Sequence, residues 1–265
     1  MSIEPREAAT LVLMRDRHGA QPEVLMVQRH GQDVFAAGAF VFPGGVLEES
    51  DWSPEAIRLS DRLSTSQAHA TLATVPEPDR ALGFYLAAIR ETFEEVGVLL
   101  ARSESGEPWN PAAFPPERLR ETRDALREGR LSFSGWLRDS RLRPAIESLV
   151  YFAHWVTPVG RPKRFDTRFF LSSAEEGIAV EPDQTEIVAY RWITPADAIA
   201  AYEQKTMRMV NATVKNLELL AEFGSVQEAL AALRRRAVRA IRPRLVPLPD
   251  GGVRILLPWD PGYES

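Results

Sequence analysis

The segment YLAAIRETFEEVGV, residues 85–98, sets Glu91, Glu94 and Glu95 at i, i+3 and i+4. On a helix turning about 100° per residue they share an arc of roughly 100°, close enough for the carboxylates to act together. Tyr85, Leu86, Ile89, Phe93 and Val96 gather on the opposite side as a core face. Like charges at that spacing repel, weakly when exposed and more when sheltered. Arg90 can pair with Glu94 at i+4, yet one guanidinium does not neutralise three acids. A hard divalent cation does, and ligation by several carboxylate oxygens suits Mg²⁺ or Mn²⁺, the usual partners of phosphate chemistry. A solvated acidic helix face is the plain alternative for any glutamate pair, so the surrounding sequence has to decide.

The elements that must position this helix are legible in outline. Residues 8–14 and 23–28 are apolar runs around a turn-like segment and read as a strand hairpin. GAFVFPGG, residues 38–45, reads as a strand ending in a Pro-Gly-Gly turn. Residues 51–74 are polar and irregular, although Ser53-Pro54-Glu55 is a helix start with Ser as cap. Pro78 and Asp79 open the carboxylate helix, which runs to Val96 and stops at Gly97. Residues 104–143, rich in Pro and charge, read as a helical elaboration. Strands are expected at 148–156, 168–171 and 186–193, helices at 195–204, 210–223 and 226–236, and a closing hairpin around Asp250-Gly251-Gly252. Strands and helices mix without βαβ alternation, which predicts an α+β fold: a mixed sheet covered by helices.

Gly44-Gly45 followed by Glu48 and Asp51, and then Arg90-Glu91, Glu94-Glu95, Gly97 and Val98, resemble the signature box of the Nudix hydrolase family. Asp51 stands where the family has Glu, and Thr92 where it has an apolar residue. The gap from Asp51 to Arg90 exceeds the family spacing by about thirty residues, far beyond ordinary loop variation. The resemblance implies an α/β/α sandwich around a mixed sheet, here a single domain over residues 1–265 with insertions at about 52–78, inside the box, and 104–146. It implies that Glu91, Glu94, Glu95 and the Gly44 carbonyl are metal ligands and that Arg90 orients the carboxylates. Glu48 and Asp51 are either peripheral acids or ordinary loop residues. A further acid is expected from a distant loop, with Glu181, Asp183 and Glu186 as candidates and Glu186 preferred. Glu94 is the first choice for an essential ligand; Glu91, Glu95 and Glu186 remain open as the base.

For the substrate, Leu25, Arg29, Gly38 and residues 42–45 partly resemble the segment before the box in coenzyme A diphosphatases, without a second arginine that Asp33-Val34-Phe35 replaces. VFPGGVLEESDW and WVTPVGRPKRFDTRFF look like the mammalian peroxisomal acyl-CoA diphosphatase subgroup, which also carries a long insertion in its box. Arg161, Lys163, Arg164 and Arg168 form a local basic stretch, suited to phosphate contacts, and Arg29, Arg164 and Arg168 are the expected substrate-binding residues. The implied reaction is metal-dependent cleavage of CoA or acyl-CoA to 3′,5′-ADP and (acyl-)4′-phosphopantetheine. NADH, ADP-ribose or another dinucleotide is the alternative substrate class, and a non-catalytic binding module the alternative of another kind.

The totals are compatible with this. A chain of 265 residues with net charge −5 gives no electrostatic reason to expect nucleic-acid binding. With no cysteine there is no thiolate nucleophile or disulfide. No apolar run reaches the roughly 20 residues needed to span a bilayer, and residues 1–19 do not read as a signal peptide. A cytoplasmic protein acting on a small nucleotide diphosphate, as monomer or homodimer, is the expectation.

Overall fold

A fork between the first two strands organises the molecule, seen here in a computed structural model that describes residues 3–31, 36–248 and 252–263. β1 (Arg6–Arg17) and β2 (Ala20–Arg29) are joined by a turn at Gly19, whose φ of 69° is left-handed. They pair antiparallel only near that turn, from Met14↔Val24 to Arg17↔Ala20. Beyond it they part. β3 (Phe40–Val41) continues on β2, and β4 (Gly44–Val46) on β1, where Thr10 faces Gly44 and Ala9 faces Gly45. The single strand expected over 38–45 is therefore two short ones, bent at Pro43. Proline has no N–H to extend a ladder, and the Pro43 carbonyl instead accepts from Leu11 N at 2.9 Å inside the fork. Asp33-Val34-Phe35 lies outside the described residues.

After a short 3-10 turn at Glu49–Trp52 come α1 (Pro54–Leu59) and α2 (Thr65–Thr71). The long helix α3 (Pro78–Val96) ends on Gly97 at φ 73° as expected. β5 (Ala101–Ser103), α4 (Pro116–Arg127), α5 (Phe133–Asp139) and β6 (Leu142–Pro144) form the elaboration, with β5 and β6 paired at its base. β7 (Val150–Val156), β8 (Phe165–Ser173) and β9 (Ile187–Ile193) complete most of the main sheet. β8 starts three residues before the expected position because it runs parallel to the whole of β1's inner half, from Arg6↔Phe165 to Met14↔Ser173. α6 (Pro195–Glu203), α7 (Asn211–Leu220), α8 (Val226–Arg234), β10 (Ala240–Ile241) and the hairpin β11 (Arg244–Pro247) and β12 (Val253–Leu256) close the chain. Of that hairpin's expected turn, Asp250 and Gly251 lie outside the described residues.

The sheet order is β10-β7-β8-β1-β2-β3, with β4 on β1 and β9 on β2, parallel at β1–β8 and β7–β10 and antiparallel elsewhere. Alternation along the strands separates two cores. Leu11, Leu13, Leu25 and Phe170 face α3, whereas Val12, Met14, Val24 and Leu171 face α6, α7 and α8. The result is the expected mixed sheet between two helical layers.

The segment expected to be irregular packs instead. Ala56 and Leu59 of α1, and Ala68 and Leu72 of α2, join the core around α3. From α5, Trp136 stacks on Phe93 with ring centroids 4.8 Å apart. Helix α3 is thereby covered on the side away from the sheet as well, and on its polar face Arg90, Glu94 and Glu95 are only 4, 7 and 5% exposed. Among the described residues, no helix is long and apolar enough to cross a membrane.

Candidate active site

The bend at Gly44-Gly45 lies directly against the acidic face of α3. Gly44 N donates to Glu95 Oε2 at 3.0 Å. A Cβ on Gly45 would come within 2.4 Å of the Glu91 carboxylate, and one on Gly44 within 2.4 Å of the Ala9 carbonyl. Glycine is required here so that backbone and carboxylate can approach closely.

Arg90 holds the cluster together, and all five of its N–H groups are used. Nε and Nη2 clasp Asp51 at 2.8 and 3.0 Å, and Nη2 also reaches the Val46 carbonyl at 3.0 Å. Nη1 lies 3.0 Å from Glu91 Oε1 and 3.4 Å from Glu94 Oε1. Asp51 is further fixed by the Glu48 N–H at 2.9 Å. Asp51, left open between peripheral acid and loop residue, is thus a buried anchor for Arg90.

Burial sets the protonation of the acids. Burial pushes Glu91 and Glu94 up to about 7 despite the opposing charge of Arg90. Burial and the charge of Glu91 raise Glu95 well above the usual carboxylate range. Arg90 resists its own desolvation because Glu91, Asp51 and Glu94 surround it, and it stays charged.

Among the described residues, no three acid or imidazole side chains already close into a metal-ligand cluster; Arg90 and Gly44 N hold the carboxylate oxygens. The donor set nonetheless fits a hard divalent ion. Its atoms are all oxygen, and its charge is not balanced by one guanidinium. Its acids retain protons near neutrality unless more positive charge enters.

Glu186, at the start of β9, has a side chain 60% exposed, with Oε2 3.8 Å from Arg29 Nη2. Both charges are felt by Glu95, so the structure brings Arg29 and Glu186 to the edge of the cluster. Arg164 and Arg168 are placed differently. Arg164 donates to the carbonyls of Thr157 and Ile3. Arg168 is 2% exposed, 4.4 Å above the Phe84 ring and paired with Asp166 at 3.1 Å.

Two residues that contact the backbone of the site escaped the sequence reading. Arg123 and Arg127 of α4 donate to the Glu94 carbonyl at 3.0–3.2 Å. On the sequence α4 is a charged helix, and only the i, i+4 spacing of these two arginines hints at a shared target. Asp183, one of the candidate acids, accepts at Oδ1 from Thr185 N and Oγ1 and from Glu186 N, at 2.5, 2.6 and 2.7 Å, and so shapes the loop.

Comparison with known proteins places this geometry. The family model described as the NUDT19 Nudix domain matches residues 5–220. The acyl-coenzyme A diphosphatase NUDT19 of Homo sapiens is 30% identical over 273 residues, spanning 91% of this chain and 72% of its own. That of Gallus gallus is 29% identical, spanning 98% and 82%. Among solved structures, a NUDIX hydrolase from Alicyclobacillus acidocaldarius aligns with a TM-score of 0.73 at 28% identity, over 87% of this chain and 97% of that one. The family model spans most of the chain, which therefore belongs to the Nudix hydrolase family, enzymes acting on diphosphate anhydride bonds, in the group described by the NUDT19 Nudix domain.

Proposed function

We propose that the chain hydrolyses the diphosphate of coenzyme A or acyl-CoA to 3′,5′-ADP and 4′-phosphopantetheine or its acyl form. Mg²⁺ or Mn²⁺ would be held by Glu91, Glu94, Glu95 and the Gly44 carbonyl. The observation that carries this reading is the clustering of three glutamates, two of them buried, with Glu91 and Glu94 held by Arg90 and Glu95 held by the glycine bend. The substrate class is supported by the acyl-CoA diphosphatase relatives.

Hydrolases of this family generally need a divalent metal ion, which when bound lowers the pKa of a water and neutralises diphosphate oxygens. The protein's own residues do the rest. Arg90 fixes Glu91 and Glu94 through one guanidinium nitrogen, so both carboxylates keep their direction. Asp51 holds Arg90 from the other side. Arg29 offers a cation at the rim for a substrate phosphate. Glu186, an exposed carboxylate whose charge reaches Glu95, takes the proton of the attacking water as its oxygen bonds to phosphorus and the bridging P–O bond breaks. Glu91 and Glu95 are the alternative bases. The inserted helices keep water off the outer flank of α3.

Mass-spectrometric identification of products across CoA, acyl-CoA, NADH and ADP-ribose, each with Mg²⁺ or Mn²⁺, tests this reading. Release of 3′,5′-ADP from CoA or acyl-CoA is expected. Turnover of NADH or ADP-ribose with none of CoA would replace it by the dinucleotide reading, and binding without turnover by the non-catalytic one.

A further inference from the structure

The last turn of α3 leaves carbonyls that no residue within the helix can satisfy. Here each one finds a partner from outside the helix. The Phe93 carbonyl takes Gly97 N at 2.9 Å, that of Glu95 takes Asp183 N at 2.9 Å, and that of Val96 takes Glu181 N at 2.9 Å. The remaining carbonyl, on Glu94, takes Arg123 Nε at 3.2 Å, Arg123 Nη2 at 3.0 Å and Arg127 Nη1 at 3.1 Å.

Arg123 joins both sets. Its Nη2 also donates to the Glu181 carbonyl at 2.7 Å, and its Nη1 lies 3.8 Å from the Glu181 carboxylate. Arg123 is 3% exposed, a costly place for a charge unless its partners are fixed. Gly97 makes room for it: a Cβ there would meet Arg123 Nη1 at 3.2 Å.

From Glu181 the chain runs directly to Glu186. Gln184 takes a left-handed φ of 67°, a conformation that a non-glycine residue keeps only when its surroundings impose it. Asp183 Oδ1 gathers the Thr185 and Glu186 N–H groups, and the Glu186 carbonyl accepts from His30 N at 2.7 Å beside Arg29.

We infer that Arg123, from the inserted helix α4, is a positioning residue: it ties the end of the carboxylate helix to the 181–187 loop and so sets Glu186 relative to Glu94 and Glu95. This rests on the proposed function for the roles of those three glutamates. The insertion is then part of the active-site frame, and its contribution is orientation.

The experiment compares wild type, Arg123→Ala and Arg123→Lys by amide hydrogen exchange and by steady-state kinetics on acyl-CoA with Mn²⁺. In Arg123→Ala, faster exchange is expected at Glu181 and Asp183 while the β1–β8 amides stay protected. With it we expect a roughly ten- to hundredfold loss of kcat, as for a misplaced reacting group, and a KM near that of wild type. Arg123→Lys keeps the charge and the stem, but one ammonium does not reproduce a planar fork on two carbonyls, so the same kcat loss is expected. Should the alanine variant fail to fold, the lysine variant decides. Wild-type kcat, or faster exchange spread over the whole fold with kcat intact in the folded fraction, would overturn the inference. Exchange needs no substrate. A wild-type enzyme that leaves acyl-CoA untouched would therefore overturn the substrate reading alone, with the tether decided by loop protection.

Discussion

Arg90 and Asp51, 39 positions apart in the chain, form a two-pronged ion pair with side chains only 5 and 2% exposed. The pair spans the interruption in the box: everything inserted between the glycine bend and the carboxylate helix is bracketed by it. The insertion therefore leaves the two halves of the site in register.

That pairing predicts the effect of removing one partner. Asp51→Ala leaves Arg90 buried beside Glu91 and Glu94 without its best-aligned carboxylate. Breaking such a pair costs about 3 kcal/mol or more. Urea denaturation should show the loss. Activity should fall too, because Arg90 then turns toward Glu91 and Glu94. A stability change below about 0.5 kcal/mol, the level of an unremarkable surface substitution, would contradict the anchoring role.

The two glycines of the bend should fail in different ways. At Gly45 a new Cβ meets the tip of the Glu91 side chain at 2.4 Å, and that side chain can swing aside. Gly45→Ala should keep its fold and lose roughly a hundredfold in kcat. At Gly44 the obstruction is backbone, with the Ala9 carbonyl at 2.4 Å and Thr10 Cα at 2.6 Å, and φ is 154°. Gly44→Ala should therefore lose stability first, read as a lower Tm. The reverse ranking would show that the bend is not packed this way.

Much of the frame was readable because periodicity carried it. The 78–96 helix and its stop at Gly97 follow from a 3.6-residue pattern and a glycine, and the first hairpin from two apolar runs around a turn. The burial of the acidic face was not readable. It depends on the Gly44–Val46 bend, Asp51 and Arg123 closing on α3 from distant parts of the chain; the packing of α1 and α2 was equally hidden, in a stretch of Ser, Thr and Ala with no strong apolar period. One local signal was present there: Ser64 and Gln67 cap α2 reciprocally, a spacing visible in the sequence. Arg123 offered only its i, i+4 spacing to Arg127, since a buried guanidinium and a solvated one look alike in a charged helix.

Stability should respond to pH and to divalent ions together. Burial raises Glu91 and Glu94 to about 7 in the folded chain, above an unfolded value near 4.3. The unfolded chain then releases these protons first as pH rises. Their contribution is complete below the unfolded value and is lost as pH climbs through about 7. A cation binding the ionised acids reverses that loss. In metal-free buffer Tm should fall between pH 5 and pH 8, and the gain in Tm on adding Mn²⁺ should be larger at pH 8. Equal gains at both pH values would argue against carboxylate ligation.

The arginines grouped by the sequence should separate in the test tube. Arg29→Ala removes a rim cation beside Glu186, and a higher KM with little change in Tm is expected. Arg168→Met removes a buried cation from Phe84 and Asp166, and a lower Tm with KM near wild type is expected. Kinetics and melting curves on the two variants check both. A raised KM at normal Tm for Arg168→Met would return that residue to the substrate site.

Glu94→Gln tests the cluster most directly. It keeps the size of the side chain and the helix while removing one charge from the three-glutamate group. The rate of 3′,5′-ADP release from acyl-CoA with Mn²⁺ should fall by about two orders of magnitude or more, the scale set by losing a group that stabilises transition-state charge, with circular dichroism unchanged. Turnover close to wild type in that folded variant would mean that the clustered glutamates are not the catalytic metal site.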